Sequence, residues 1–195
     1  MKTSFAWCLA MASWMAGSPA ASASASAEAI WQQLAAGGMV VLMRHGEVMA
    51  GPGNGNSLER DPTCARERNL SSAGKAQARR VGEAFRGRKI AVAGVRHSPF
   101  CRTTDTARLA FGGGTPTDFL SLREILGADE AAAQTRAMAG AIGSFAGPGN
   151  LVLITHEPNI NAVSFELMKP ADFLVLRPRG GSDFEEIGVI RAGAD

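Results

Sequence analysis

MVVLMRHG, residues 39–46, decides the fold. Its first five residues are all apolar. A strand with one wet face alternates apolar and polar side chains, whereas an unbroken apolar run marks a strand buried on both faces. The run then changes at once into Arg44-His45-Gly46, a fixed cation, a titratable ring and a residue that eases a turn. Two further segments repeat the design. Residues 90–95 lead into Arg96-His97-Ser98-Pro99 and then Cys101-Arg102, and residues 151–154 (LVLI) lead into Thr155-His156-Glu157-Pro158-Asn159. In open α/β sheets ligands bind beyond the carboxyl ends of the strands. If these three strands are parallel neighbours, their histidines and arginines meet at one sheet edge and form a cationic pocket suited to phosphate. Helix N-termini after Cys101 and after Pro158 would add backbone N–H donors.

Between these strands the sequence predicts helices. Residues 29–36 form a short helix stopped by Gly37-Gly38. Ser71 or Ser72 caps a helix over residues 73–88, with Ala78, Val81 and Phe85 on one face. Residues 102–110 form a helix ended by three glycines, residues 129–145 an Ala-rich one, and residues 159–168 a third. Short strands are expected at 117–120, 173–176 and 187–190. Strands alternating with helices imply a three-layer α/β/α sandwich around a mostly parallel sheet of about five to six strands. The Gly-, Pro- and Asn-rich stretch 46–69 is too long to be a mere connection, and loops of that length in compact domains are commonly functional.

Composition sets bounds. The chain has 195 residues, and 20 Lys+Arg against 18 Asp+Glu leave a net charge of +2. This argues against a general nucleic-acid binder. Sixteen of the cations are Arg, whose planar fork fits phosphate and carboxylate. Three His and three Cys are too few for an all-protein zinc cage.

Residues 1–27 read as a secretory signal: Met1-Lys2, an apolar run with Trp7, Leu9 and Trp14, then the small-residue run ASASASA. The apolar part is too short for a stable membrane anchor. Removal leaves one domain, residues 28–195, in the periplasm or secreted. Cys8 departs with the signal, so Cys64 and Cys101 remain as an even pair in an oxidising compartment. They are expected to form a disulfide that ties the long loop to the helix carrying Arg102.

LMRHGE, NLSSAGKAQA, SPFCRTTDTA and THEPN, in this order, resemble the histidine phosphatase superfamily, the phosphoglycerate-mutase-like fold. The likeness runs from about residue 40 to about residue 190. The small size and the export signal are similar to the compact exported bacterial phosphatases of that superfamily. The resemblance implies a phosphomonoesterase with His45 as nucleophile, forming a phosphohistidine. Arg44, Arg102 and His156 complete the phosphate-holding quartet. It implies no cofactor and no metal. Glu124, in Leu122-Arg123-Glu124-Ile125, falls where relatives place the acid that protonates the leaving alcohol, with Glu47 and Asp105 as alternatives. Ser98, Asn159 and Glu47 are assigned to substrate binding, although a turn role suits Ser98 equally. His97 lines the pocket mouth or caps its strand. The implied partner is a small-molecule or envelope-glycan phosphate ester. A phosphomutase, or a phosphate-binding module of the same fold, is the alternative.

Overall fold

The computed structural model describes residues 26–193. Most of the expected signal, residues 1–25, lies outside the described residues. Ser26 caps the first helix, α1 (Ala27–Ala36), and Ala27 opens it. The Ser26 hydroxyl accepts from the Ala29 N–H there, the usual way to satisfy a helix's first donors.

Six strands form one sheet in the order β3-β2-β4-β1-β5-β6. They are β1 (Val40–Arg44), β2 (Val92–His97), β3 (Thr115–Pro116), β4 (Asn150–Thr155), β5 (Phe173–Gly180) and β6 (Asp183–Ile190). The expected neighbours are neighbours. β4 lies between β1 and β2 and is parallel to both, with Arg44 opposite Thr155 and His97 opposite Ile154. β5 runs antiparallel to β1 and β6 antiparallel to β5, so only β5 is reversed.

The central strands are covered on both faces, which is why their sequence is apolar without alternation. Val41, Met43, Val152 and Ile154 pack with Ile30, Trp31, Val81, Phe85 and Ala107, from α1, α2 (Ser72–Gly87) and α3 (Cys101–Phe111). Val40, Leu42, Leu151 and Leu153 face the other way onto Met138, Ile142 and Ile160, from α4 (Ala128–Gly143) and α5 (Glu157–Asn161). The result is the expected three-layer sandwich. Leu42 is fully buried, and truncating a leucine in such a position to alanine costs about 2–5 kcal/mol.

Two predicted elements differ. The strand expected at 117–120 is a 3-10 turn, Asp118–Leu120, and the edge strand β3 lies just before it. Pro116 has no N–H to extend the ladder, and the Leu120 carbonyl is pinned by the Thr155 hydroxyl at 2.8 Å. The helix expected at 159–168 is α5, which starts earlier and ends at Asn161. Ser164 accepts from the Glu166 N–H, a local bond that competes with helix. The carbonyls of Leu167 and Met168 turn out to Arg191 and Arg44. Among the described residues no helix is long and apolar enough to cross a membrane.

Candidate active site

β1 delivers Arg44 and His45 to the carboxyl edge, and the His45 N–H bonds the Thr155 carbonyl of β4 at 3.1 Å. Gly46 then packs against the start of α2. A Cβ on Gly46 would stand 2.6 Å from the Gly74 carbonyl oxygen, and one on Gly74 would meet the Glu47 carbonyl. Ser71 caps α2, its hydroxyl accepting from the Gly74 N–H and donating to the Glu47 carboxylate. The glycine in SSAGKAQA therefore sets the approach of α2 to the His45 turn.

The His45 Nδ1 lies 2.7 Å from the Gly46 carbonyl. A carbonyl can only accept, so Nδ1 carries the proton and Nε2 is left with its lone pair. Burial, then the Arg102 and Arg44 charges, lower the ring's pKa from 6.5 to about 3, against the opposing effect of the Gly46 bond. The imidazole is thus neutral and nucleophilic at any physiological pH. His156 stands beside it, ring centroids 5.3 Å apart, and its pKa is also pushed well down, chiefly by burial. Arg102 Nη2 is 3.2 Å from His156 Nδ1. Guanidinium only donates, so Nδ1 accepts and His156 Nε2–H donates to Ser98 Oγ at 2.8 Å.

Arg102 is 3 % exposed, crosses the Phe100 ring at 4.4 Å, and donates to the Ser57 carbonyl at 3.0 Å. Arg44 Nη1 donates to the Met168 carbonyl at 2.5 Å and pairs with Glu157 at 2.6 Å. Two buried guanidinium atoms, Arg44 Nε and Arg102 Nη1, find no hydrogen-bond partner among the described residues. An orphaned buried donor is costly and rare. Here two of them belong to residues lining one cavity of about 270 Å3, together with His45, His156, Ser57, Arg68 and Glu124. A tetrahedral oxyanion in that cavity would meet two fixed guanidinium charges. Another cavity, about 410 Å3 beneath Trp31 and Arg88, contains none of the three histidines.

The remaining expected residues separate. Glu124 lines the cavity from a 3-10 turn, Arg123–Ile125, and its charge is felt at Arg102. Ser98 is fully buried and reaches the site only through His156. Asn159 faces the backbone rather than the cavity. Its Oδ1 accepts from the Arg123 N–H and its Nδ2 donates to the Ser121 carbonyl, which fixes the segment that carries Glu124. Glu47 lines a neighbouring cavity. His97 is 3 % exposed and bonds the Ser98 carbonyl, closing its strand. Asp105 pairs outward with Arg108.

Cys64 and Cys101 are bonded, with Cα atoms 5.8 Å apart. The donors expected at the start of α3 are used otherwise. The Cys101 N–H donates to Glu67 at 2.7 Å, so a carboxylate occupies that helix end. Glu67 is 1 % exposed, and its other oxygen accepts from the Asp61 N–H at 2.9 Å. Asp61 in turn holds Thr63 and the Arg66 N–H, bonds that lower its pKa to about 2. The long loop is therefore a folded unit, joined to α3 by a disulfide and a buried carboxylate. Sequence reasoning missed Glu67 and Ser57; of Arg66 and Arg68, either of which the loop could bring to substrate, it is Arg68 that lines the cavity. Ser57 acts through its carbonyl and leaves no side-chain signal, and Glu67 differs from a surface acid only once the loop has folded.

Comparison with known proteins agrees with the geometry. A family model described as histidine phosphatase superfamily, branch 1, matches residues 40–139. The chain belongs to that superfamily. Among solved structures, it is similar to the protein histidine phosphatase SixA in complex with tungstate: 14 % identity, 79 % of this chain and 97 % of that chain covered, TM-score 0.56. A mycobacterial glucosyl-3-phosphoglycerate phosphatase is 20 % identical over 78 % of this chain and 95 % of its own, TM-score 0.52. A phosphoserine phosphatase from Entamoeba histolytica, in complex with 3-phosphoglyceric acid, is 15 % identical over 77 % and 95 %, TM-score 0.50. At these identities the likeness is one of fold. No curated protein sequence matches the chain.

Proposed function

We propose that the protein is an exported phosphomonoesterase of the compact bacterial kind, working through a phosphohistidine on His45 without a metal. The observation that carries the reading is that Arg44 and Arg102 line the same cavity as His45, whose Nε2 is unprotonated. A cationic cradle around a neutral nucleophile is what phosphoryl transfer requires, since its catalysis is mostly positioning and charge stabilisation.

The steps balance as follows. The phosphoryl oxygens lie against Arg44, Arg102 and His156. The Nε2 lone pair of His45 attacks phosphorus as the ester P–O bond breaks, and Glu124 gives its proton to the departing alkoxide. The imidazolium so formed keeps its Nδ1–H on the Gly46 carbonyl, which stabilises the positive ring. Water then attacks phosphorus, Glu124 takes the water's proton, the P–N bond breaks, and orthophosphate leaves with His45 neutral again. Glu47 and Ser98 support this at one remove, Ser98 by holding His156. The test is phosphate release from an aryl phosphate, with His45→Ala beside the native chain and vanadate as inhibitor. Turnover that survives His45→Ala sinks the reading, and tight phosphate binding without turnover would make the protein a binding module.

A further inference from the structure

We infer that the phosphate taken at His45 belongs to an amphiphile: the substrate is a phosphomonoester carried on an apolar body at a lipid–water interface. The inference rests on the phosphatase reading and names its substrate class. Four large apolar side chains stand exposed among the described residues: Leu58 at 50 %, Ile125 at 42 %, Phe165 at 104 % and Leu167 at 77 %. Each lies on a segment that builds the catalytic cavity. Leu58 follows Ser57, whose carbonyl holds Arg102. Ile125 follows Glu124. Leu167 precedes Met168, whose carbonyl holds Arg44, and Phe165 is two residues earlier. One exposed leucine needs no explanation. All four fall on the three segments around one cavity, and exposed apolar residues gathered about a site mark contacts.

The chemistry of these segments identifies the occupant. The floor is cationic and the rim apolar, which matches a ligand with an anionic head and an apolar body. The same segments carry exposed Arg60 and Lys169, while their acids, Glu59 and Glu166, are paired with Arg66 at 3.0 Å and Arg191 at 3.3 Å. Apolar side chains at the acyl boundary with long cations at the headgroups is how a protein surface sits on an anionic bilayer. A second cavity, about 880 Å3, shares Arg44 and Glu157 with the catalytic one and has Leu167, Met168 and Pro170 in its wall. It gives the first atoms of the apolar body a place beside the phosphate. A freely soluble sugar phosphate has no use for Phe165.

The test uses the full chain and two readouts. In the first, His45→Ala protein, which cannot consume the lipid, is sedimented with phosphatidylcholine vesicles with and without phosphatidic acid. Binding is expected to the doped vesicles and to fall about tenfold or more on adding Phe165→Ser with Leu58→Ser, given the apolar area withdrawn. In the second, kcat/KM is compared for phosphatidic acid in mixed micelles, a phosphoserine peptide and p-nitrophenyl phosphate. The micellar substrate is expected to lead by about tenfold, and the double variant to lose that lead while its aryl phosphate rate stays within about twofold. That unchanged rate also reports that the variant folds. No vesicle binding, a preference for the peptide, or an equal loss on all three substrates overturns the inference. If vesicles are bound but no ester is cleaved, the hydrolase reading falls and the interface stands.

Discussion

The cavity beside His45 has two halves that are built in different ways. Arg44, His45 and His156 stand at the ends of β1 and β4, strands buried on both faces. Ser57, Arg68 and Glu124 come from segments with little regular structure. Arg102 joins the two, donating to His156 on the strand side and to Ser57 on the loop side. His45 is thus held by the sandwich core itself. Ser57 and Arg68 depend on the loop's own bonds, the Glu67 carboxylate and the disulfide, and Glu124 depends on the Asn159 amide. A rigid reacting centre beneath a separately fastened rim lets substrate choice change without disturbing the chemistry.

This contrast can be broken most severely on the strand side. His45→Ala should lower aryl phosphate kcat/KM about 10^4-fold or more, because removal of a nucleophile ends the covalent route. Stopped assays of phosphate release measure it. At the junction, Arg102→Ala should cost about 10^2–10^3-fold, and Arg102→Lys should restore little because an ammonium cannot make the fork contacts. Native-like activity in the lysine variant would show that Arg102 acts only as a charge. On the loop side, Glu124→Gln should slow first-turnover alcohol release from an alkyl phosphate about 10^2-fold while leaving the p-nitrophenol burst nearly unaffected, since nitrophenolate departs without a proton. Equal slowing of both would remove Glu124 from the acid role.

Opening the disulfide tests whether the halves are separable. The bridge spans a separation of 37 residues, so Cys64→Ser with Cys101→Ser should cost about 4 kcal/mol of stability on the loop-entropy estimate. Hydrogen exchange should show amides of residues 46–69 losing protection first, before those of β1 and β4. Simultaneous loss would mean one cooperative unit. The mildest handle is pH. His45 has a pKa of about 3 when folded and 6.5 as a free side chain. Between those values the unfolded chain binds more protons, so stability rises with pH across that window and is lost as pH falls through it. His156 acts in the same direction. Denaturant melts across that range should show the slope, and His45→Gln should reduce it to the part left by His156.

The same division explains what could be read in the sequence. The strand half was legible because two-sided burial imposes an unbroken apolar run, and the reactive residues follow each run at once. Val40 to Met43 and Leu151 to Ile154 show this plainly. Arg102 was legible through its motif. The loop half was legible only in the Cys64–Cys101 pair and in Glu124. The Ser57 contribution is a carbonyl, Glu67 looks like any surface acid, and Asn159 appeared to be a ligand when its amide fastens the Glu124 segment. The helix expected to run to residue 168 stops at Asn161 because Arg44 and Arg191 draw backbone carbonyls outward, a tertiary effect that no local propensity carries.

The contact between Gly46 and Gly74 has a consequence for anyone who engineers this chain. Neither position can be relieved by enlarging the other, because each hypothetical Cβ strikes main chain rather than a movable side chain. In a saturation library both columns should be almost empty, and no second-site suppressor should refill them. Gly87 and Gly140 offer the opposite case, with nothing within 4 Å of an added Cβ. Alanine there should raise the melting temperature slightly, by about 0.5–1 kcal/mol of helix stability each. Glycine in this sequence therefore carries two unrelated meanings, and a designer who replaced all of them by consensus would gain at one kind and lose the molecule at the other.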